Sequence, residues 1–222
     1  MGTQRFKHFQ KVSVPKRETI LYPHFIVYDF EALFNKEKAQ ISDSVSQDAI
    51  HIPSSVSIVD SLNKEPEHIC FKDPKCLGES FMEAIEHRAE QIRQKIKEEF
   101  LPDCFGLLPK TQQQSIGVWC NQVHVLGFNS GKYNLNLIPE YFILELTKTC
   151  TEAKVEKKIN QIMFINNQGL KFLDILNYIG PGKRLDSWVK LYDSKMRKSH
   201  CHYEWFDSPA KLDYPGLPDC SN

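Results

Sequence analysis

The chain has 222 residues, 41% of them hydrophobic and 11% aromatic, which suffices for one sizeable core and reads as globular rather than disordered. Its 28 Lys and Arg balance 28 Asp and Glu, so the basic excess of a free-standing nucleic-acid binder is absent, although a local basic groove is not excluded. No segment has the apolar length of a membrane span, and Met1–His8 is followed by no apolar stretch of the kind a secretory signal needs.

Residues 1–20 are polar and basic and read as an N-terminal arm. His24-Phe-Ile-Val-Tyr-Asp-Phe-Glu-Ala32, behind Pro23, reads as a buried strand. Asn35–Asp48 is polar and predicts a loop, Val56–Val59 a second strand, and Asn63–His68 another loop around Pro66. Phe81, Ile85, Ala89, Ile92, Ile96 and Phe100 recur at helical spacing, which predicts a helix over Glu79–Phe100 with a solvated face of mixed charge and an end at Pro102. Ser115–Trp119 is ambiguous, and Val123–Phe128 reads as a strand running into the turn signal Asn129-Ser-Gly. Tyr133–Leu146 fits either a helix broken at Pro139 or a helix followed by a strand. Lys154, Lys157 and Lys158, interleaved with Glu152 and Glu156, read as a solvated run. Gln161–Ile165 and Lys171–Leu176 read as a hairpin across Asn166-Asn-Gln-Gly169, followed by a helix over Leu185–Tyr192 and a Pro-rich, extended tail from Ser208. Strands and helices that alternate irregularly predict an α/β fold with a mixed sheet, a β-hairpin and flanking helices.

Seven cysteines, an odd number with no Cys-x-x-Cys pair, match a reduced intracellular protein, with the nucleus a plausible address but no clear import signal. His200-Cys201-His202 with Cys120 and His124 matches no zinc module in its spacing.

Asp29-x-Glu31 is the most informative short pattern. On a strand the two carboxylates point to one face, with Tyr28, Phe30 and Ala32 on the other. Paired carboxylates on an otherwise apolar strand are unfavourable unless a cation lies between them, and a divalent metal such as Mg²⁺ suits that position. Two such metals can activate a water for phosphodiester hydrolysis. The bland alternative is a pair of edge-strand charges. Asn129 and Gly131 would serve in any turn.

Tyr28-Asp-Phe-Glu-Ala32 resembles the first exonuclease motif of family B DNA polymerases, and Phe128-Asn-Ser-Gly-Lys-Tyr-Asn134 resembles their second. Phe172-Leu-Asp-Ile-Leu-Asn-Tyr178 and Leu185-Asp-Ser-Trp-Val-Lys-Leu-Tyr192 are similar to the continuation of these proteins. Tyr203-Glu-Trp-Phe-Asp-Ser208 with Lys211-Leu-Asp-Tyr-Pro-Gly-Leu-Pro218 is similar to the protein-primed polymerases of Polinton (Maverick) transposons and related viruses. The resemblance implies an RNase H-like 3′–5′ exonuclease domain over residues 21–207, C-terminally truncated, between the arm and a tail at 208–222. It implies Asp29 and Glu31 as ligands of Mg²⁺ or Mn²⁺, with the single-stranded end of a DNA primer contacted by Asn129 and flanked by Lys132 and Tyr133.

Two departures follow from the same comparison. The second-motif aspartate is Asn134 here, which lacks the charge that holds Mg²⁺. The third motif, Tyr-x-x-x-Asp, is expected beyond Pro218, so Tyr203–Asp207 matches it by letter only, and the polymerase palm is not in the chain. The expectation is a catalytic triad Asp29, Glu31 and Asn134 that is inactive without the rest of the polymerase. The alternative is a degenerate transposon-derived module that binds single-stranded nucleic acid or a protein without catalysis.

Overall fold

The computed structural model describes residues 22–35, 39–42, 45–47, 49–101, 103, 105–138, 142, 146, 153–158, 161–167, 169–179, 184–191 and 208–213. The arm at 1–20, the zinc-like group at 200–202, the third-motif lookalike at 203–207 and the tail beyond 213 lie outside the described residues.

Among the described residues, seven strands form one mixed sheet: β1 (Phe25–Asn35), β4 (Ile50–Asp60), β5 (Glu67–Cys70), β6 (Val123–Gly127), β7 (Lys154–Lys158), β8 (Gln161–Asn167) and β9 (Leu170–Asp174). Their order is β5-β4-β1-β6-β9-β8-β7. β4 runs antiparallel to β1 and to β5, β6 runs parallel to β1, and β9 runs parallel to β6. β8 and β9 pair antiparallel as the predicted hairpin. Two helices follow β5, α1 (Pro74–Phe100) and α2 (Lys110–Asn121), and the second resolves the ambiguous Ser115–Trp119 stretch as helix.

The core lies between the sheet and α1. Leu77, Phe81, Ile85, Ala89, Ile92 and Ile96 are fully buried along one helical stripe, against Ile26, Tyr28 and Phe30 of β1, Val56 and Ile58 of β4, Val125 of β6 and Phe172 of β9. Phe81 sits centrally, its ring edge-on to Phe30 and tilted against Tyr28 and Phe142. Each such side chain contributes about 1.5–3 kcal/mol of burial.

Several elements depart from the sequence pattern. The 35–48 stretch contains a separate two-stranded ladder, β2 (Ala39–Ser42) with β3 (Val45–Gln47), whose strands are too short to show alternation. β5 occupies the predicted Asn63–His68 loop and beyond, beginning directly after Pro66. α1 starts five residues earlier than the predicted Glu79, because Asp73 caps it, accepting from the Lys75 amide at 3.0 Å, and Pro74 supplies a first residue that needs no N–H partner. The charged face of α1 is not wholly solvated. Arg88 is buried, ion-paired with the buried Asp60 and at 2.9 Å with Glu67, and so ties the helix to β4 and β5. The Lys154–Lys158 run is solvated but extended: it is the exposed strand β7, whose charges suit a sheet edge. Where an extended tail was expected, Pro209–Asp213 forms a short 3₁₀ turn, with Asp213 ion-paired to Lys72. Among the described residues, no helix is long and apolar enough to cross a membrane.

Candidate functional site at the ends of the parallel strands

β1, β6 and β9 run in one direction, and the turn after β6 folds across their C-terminal ends, where open α/β sheets place their sites. Ile26, Tyr28 and Phe30 face the core, while Val27, Asp29 and Glu31 are half-buried on the opposite face, as alternation requires. β1 is an interior strand, paired with β4 over Ile26–Asn35 but with β6 only over Phe25–Tyr28, so Asp29 and Glu31 lie just beyond the parallel ladder and pair with β4 alone. The alternation then breaks. A bulge falls between Glu31 and Ala32, where Ala32 pairs with Pro53 and the Ser54 hydroxyl donates to the Glu31 carbonyl at 3.3 Å. Leu33, not Ala32, is the next buried residue, so Ala32 does not continue the Tyr28–Phe30 series. Pro53 is tolerated because a bulge needs no ladder N–H there.

The turn Ser130–Asn134 is a single π-helical turn, closed by the Leu135 amide on the Ser130 carbonyl. Asn129 opens it in the left-handed region at φ 55°, a conformation that Asn tolerates and most residues do not. Two glycines permit its close approach to the sheet: a Cβ on Gly131 would lie 2.1 Å from the Ile162 carbonyl oxygen, and one on Gly127 2.6 Å from the Ser130 Cβ. Asp174, at the end of β9, is buried and fastens the turn, its two oxygens accepting from the Gly131 amide at 3.1 Å and the Leu176 amide at 3.0 Å. Burial pushes the Tyr28 phenol, on the core face beneath Gly127, well above its ordinary range.

The turn carries Asn134 to Asp29. The Asn134 side chain is 1% exposed, and its amide N–H donates to Asp29 Oδ1 at 3.3 Å, across 105 residues of sequence. Tyr133, half-buried, hydrogen-bonds through its hydroxyl to His51 Nδ1 at 2.8 Å, which ties the turn to β4. Lys132 is exposed and Asn129 half-buried. The structure thus brings together Asp29 and Asn134, with Glu31 two residues along the same face, and sets Asn129, Lys132 and Tyr133 on the turn above them.

Sequence reasoning missed three features. Asp174 gave no signal because its partners are backbone amides of a turn 43 residues earlier. Ser57 and His68 lie beside Asp29 in one register row across β1, β4 and β5, with the hydroxyl and ring Nδ1 2.8 Å apart, and Ser55 and Cys70 extend the Glu31 row in the same way. Those rows were hidden because β5 reads as loop. The third is His51, whose bond to Tyr133 joins residues 82 apart in the chain.

The donor set suits a divalent cation poorly. Asp29 and the Asn134 carboxamide meet, with Glu31 two residues along the same face, but the carboxamide presents N–H rather than oxygen to Asp29, and N–H is no ligand for a hard cation. Among the described residues, no three His, Cys, Asp or Glu side chains come together. Of the paper zinc group, Cys120 is buried, which raises its thiol pKa. His124 is lowered to about 4 by burial and by Lys171, and it packs against Tyr22.

No protein-family profile matches the sequence, and neither does any curated protein. Among solved structures, the chain is similar to the family B DNA polymerase of the hyperthermophilic archaeon Pyrobaculum calidifontis, with a TM-score of 0.45 and 13% identity over 85% of this chain and 21% of that one. The chain spans about a fifth of that polymerase's length.

Proposed function

We propose that this chain is the RNase H-like 3′–5′ exonuclease region of a family B DNA polymerase of the protein-primed kind, and that it holds a single-stranded DNA end without cutting it. The observation that carries this is the meeting of Asp29 and Asn134, 105 residues apart, just past the point where β1 parts from the parallel strand β6. Three antiparallel strands, a long helix and then two strands parallel to the first also suit an RNase H-like domain. In this reading Asp29 and Glu31 descend from a Mg²⁺ or Mn²⁺ site. Asn129 contacts the strand end, Tyr133 offers a ring against a base, and Lys132 supplies charge to the phosphates.

Fluorescence anisotropy with a labelled single-stranded oligonucleotide, run beside a Mg²⁺ nuclease assay, tests it. The expected result is binding that weakens on the order of tenfold between about 50 and 200 mM salt, as two or three phosphate contacts require. No degradation is expected. Robust degradation abolished by Asp29→Ala would overturn the non-cutting assignment, and affinity indifferent to salt would point away from DNA.

A further inference from the structure

The two edges of the central sheet are guarded unequally. β7 closes one side with Lys154, Lys157 and Lys158, all exposed, and with a register shift between Glu156 and Lys157. Charges and bulges of that kind keep other chains from pairing with an edge. β5 closes the other side with four residues, Glu67–Cys70, that include no lysine and no register shift. The Phe71 amide donates to the Ser54 carbonyl at 3.0 Å, so alternation turns the backbone groups of Glu67 and Ile69 toward β4 and those of His68 and Cys70 outward. Among the described residues, no strand pairs with that outer edge. An open groove of about 630 Å³ runs beside it, between β5 and α1. Its floor holds Ile69 and Ala84, both packed against the core, and Phe71 adds an apolar ring that is 39% exposed.

We propose that the β5 edge receives an extended peptide as an added strand, with an apolar side chain over Ile69 and Ala84 and a basic one against Glu83. The outward N–H and C=O groups of His68 and Cys70 supply the backbone hydrogen bonds, and alternate side chains of the added strand enter the groove and give specificity. The basic residue follows from charge. The groove is lined by two glutamates, Glu67 and Glu83, and by no lysine or arginine. Glu67 is already held by Arg88 at 2.9 Å, which leaves the exposed Glu83 as the carboxylate without a cation among the described residues. The other alternate set of side chains lies beside His68 and Cys70 on the far face of the sheet, where polar residues suffice. None of the residues assigned to DNA takes part.

Titration of the full chain with an acetylated peptide that alternates threonine with valine and lysine, followed by backbone amide NMR, tests this. Saturable shifts centred on His68, Cys70 and Ala84 are the expected result. Two further peptides carry N-methyl groups, one on each alternate set of residues. Only one set faces β5, so one peptide is expected to bind on the order of tenfold more weakly, through lost backbone hydrogen bonds, and the other to bind as before. Glu83 is exposed, so Glu83→Lys spares the core. That variant is expected to lose affinity for the lysine peptide and to gain it for one with glutamate in place of lysine. Equal binding of the two N-methylated peptides, or no saturable shift at His68 and Cys70, would overturn the proposal. Unchanged binding of the lysine peptide to Glu83→Lys would overturn the basic occupant. Shifts at the same amides on concentrating the chain alone would assign the edge to a second copy instead.

Discussion

The two faces of the central sheet obey different rules. Toward α1 the sheet presents Ile26, Tyr28, Phe30, Val56, Ile58, Val125 and Phe172, all buried, with the Arg88–Asp60 ion pair as a polar tie to the helix. On the other face a half-buried row of Val59, Val27, Leu126 and Leu173 crosses four strands, and the next rows turn polar, with Asp29, Ser57 and His68 and then Glu31, Ser55 and Cys70. The first face is held by many interchangeable contacts. The second depends on a few directed ones, delivered by a turn whose backbone is constrained at Asn129 and Gly131. The apolar core therefore lies on one side of the sheet and the candidate site on the other.

Substitutions can break that division, and the core side should give the largest effect. Phe81→Ala removes a fully buried ring from the aromatic cluster and is expected to cost about 3–5 kcal/mol in denaturant unfolding. Arg88→Ala leaves Asp60 buried without its cation and belongs at about 3–5 kcal/mol, whereas Lys75→Ala, at an exposed ion pair, should cost less than about 0.5 kcal/mol. Gly131→Ala sharpens the comparison from the site side. Its Cβ must displace the turn from the Ile162 carbonyl, so about 1–3 kcal/mol is expected together with loss of the Asn134–Asp29 contact, visible as a shift of the Asn134 side-chain amide resonance.

A pH dependence is expected as well. His124 is held neutral, with its pKa pushed down to about 4 from an ordinary 6.5 by burial and by Lys171. The unfolded chain therefore takes up the proton first as pH falls, so stability contributed by the neutral ring is full above about 6.5 and is lost toward about 4. His124→Gln should flatten that decline in unfolding temperature. An unchanged slope would assign the decline to other groups.

The same division governs what the sequence disclosed. The core face was legible because burial writes a period: the stripe from Phe81 to Ile96 and the alternation of β1 predicted α1 and the interior strand directly. The facing of Asp29 and Glu31 followed from that alternation as far as the bulge, which depends on Pro53 and Ser54 of a different strand. Arg88 was read as solvated because its partners, Asp60 and Glu67, lie 28 and 21 residues away. β5 was lost because four residues beside a proline carry no alternation, and with it went the row through Ser57 and His68. The approach of Asn134 to Asp29 was available only through the resemblance of two motifs. Nothing local to either residue specifies the other.

The central claim is that the turn over Asp29 receives a single-stranded DNA end. An oligonucleotide with a photoreactive base at its 3′ terminus, irradiated with the chain and mapped by peptide mass spectrometry, tests it most directly. Cross-links confined to the peptide carrying Asn129–Asn134, and reduced several-fold by Tyr133→Ala, are the predicted result. Cross-links on the exposed strand β7 or spread evenly over the surface, with the Asn129–Asn134 peptide unmarked, would contradict it.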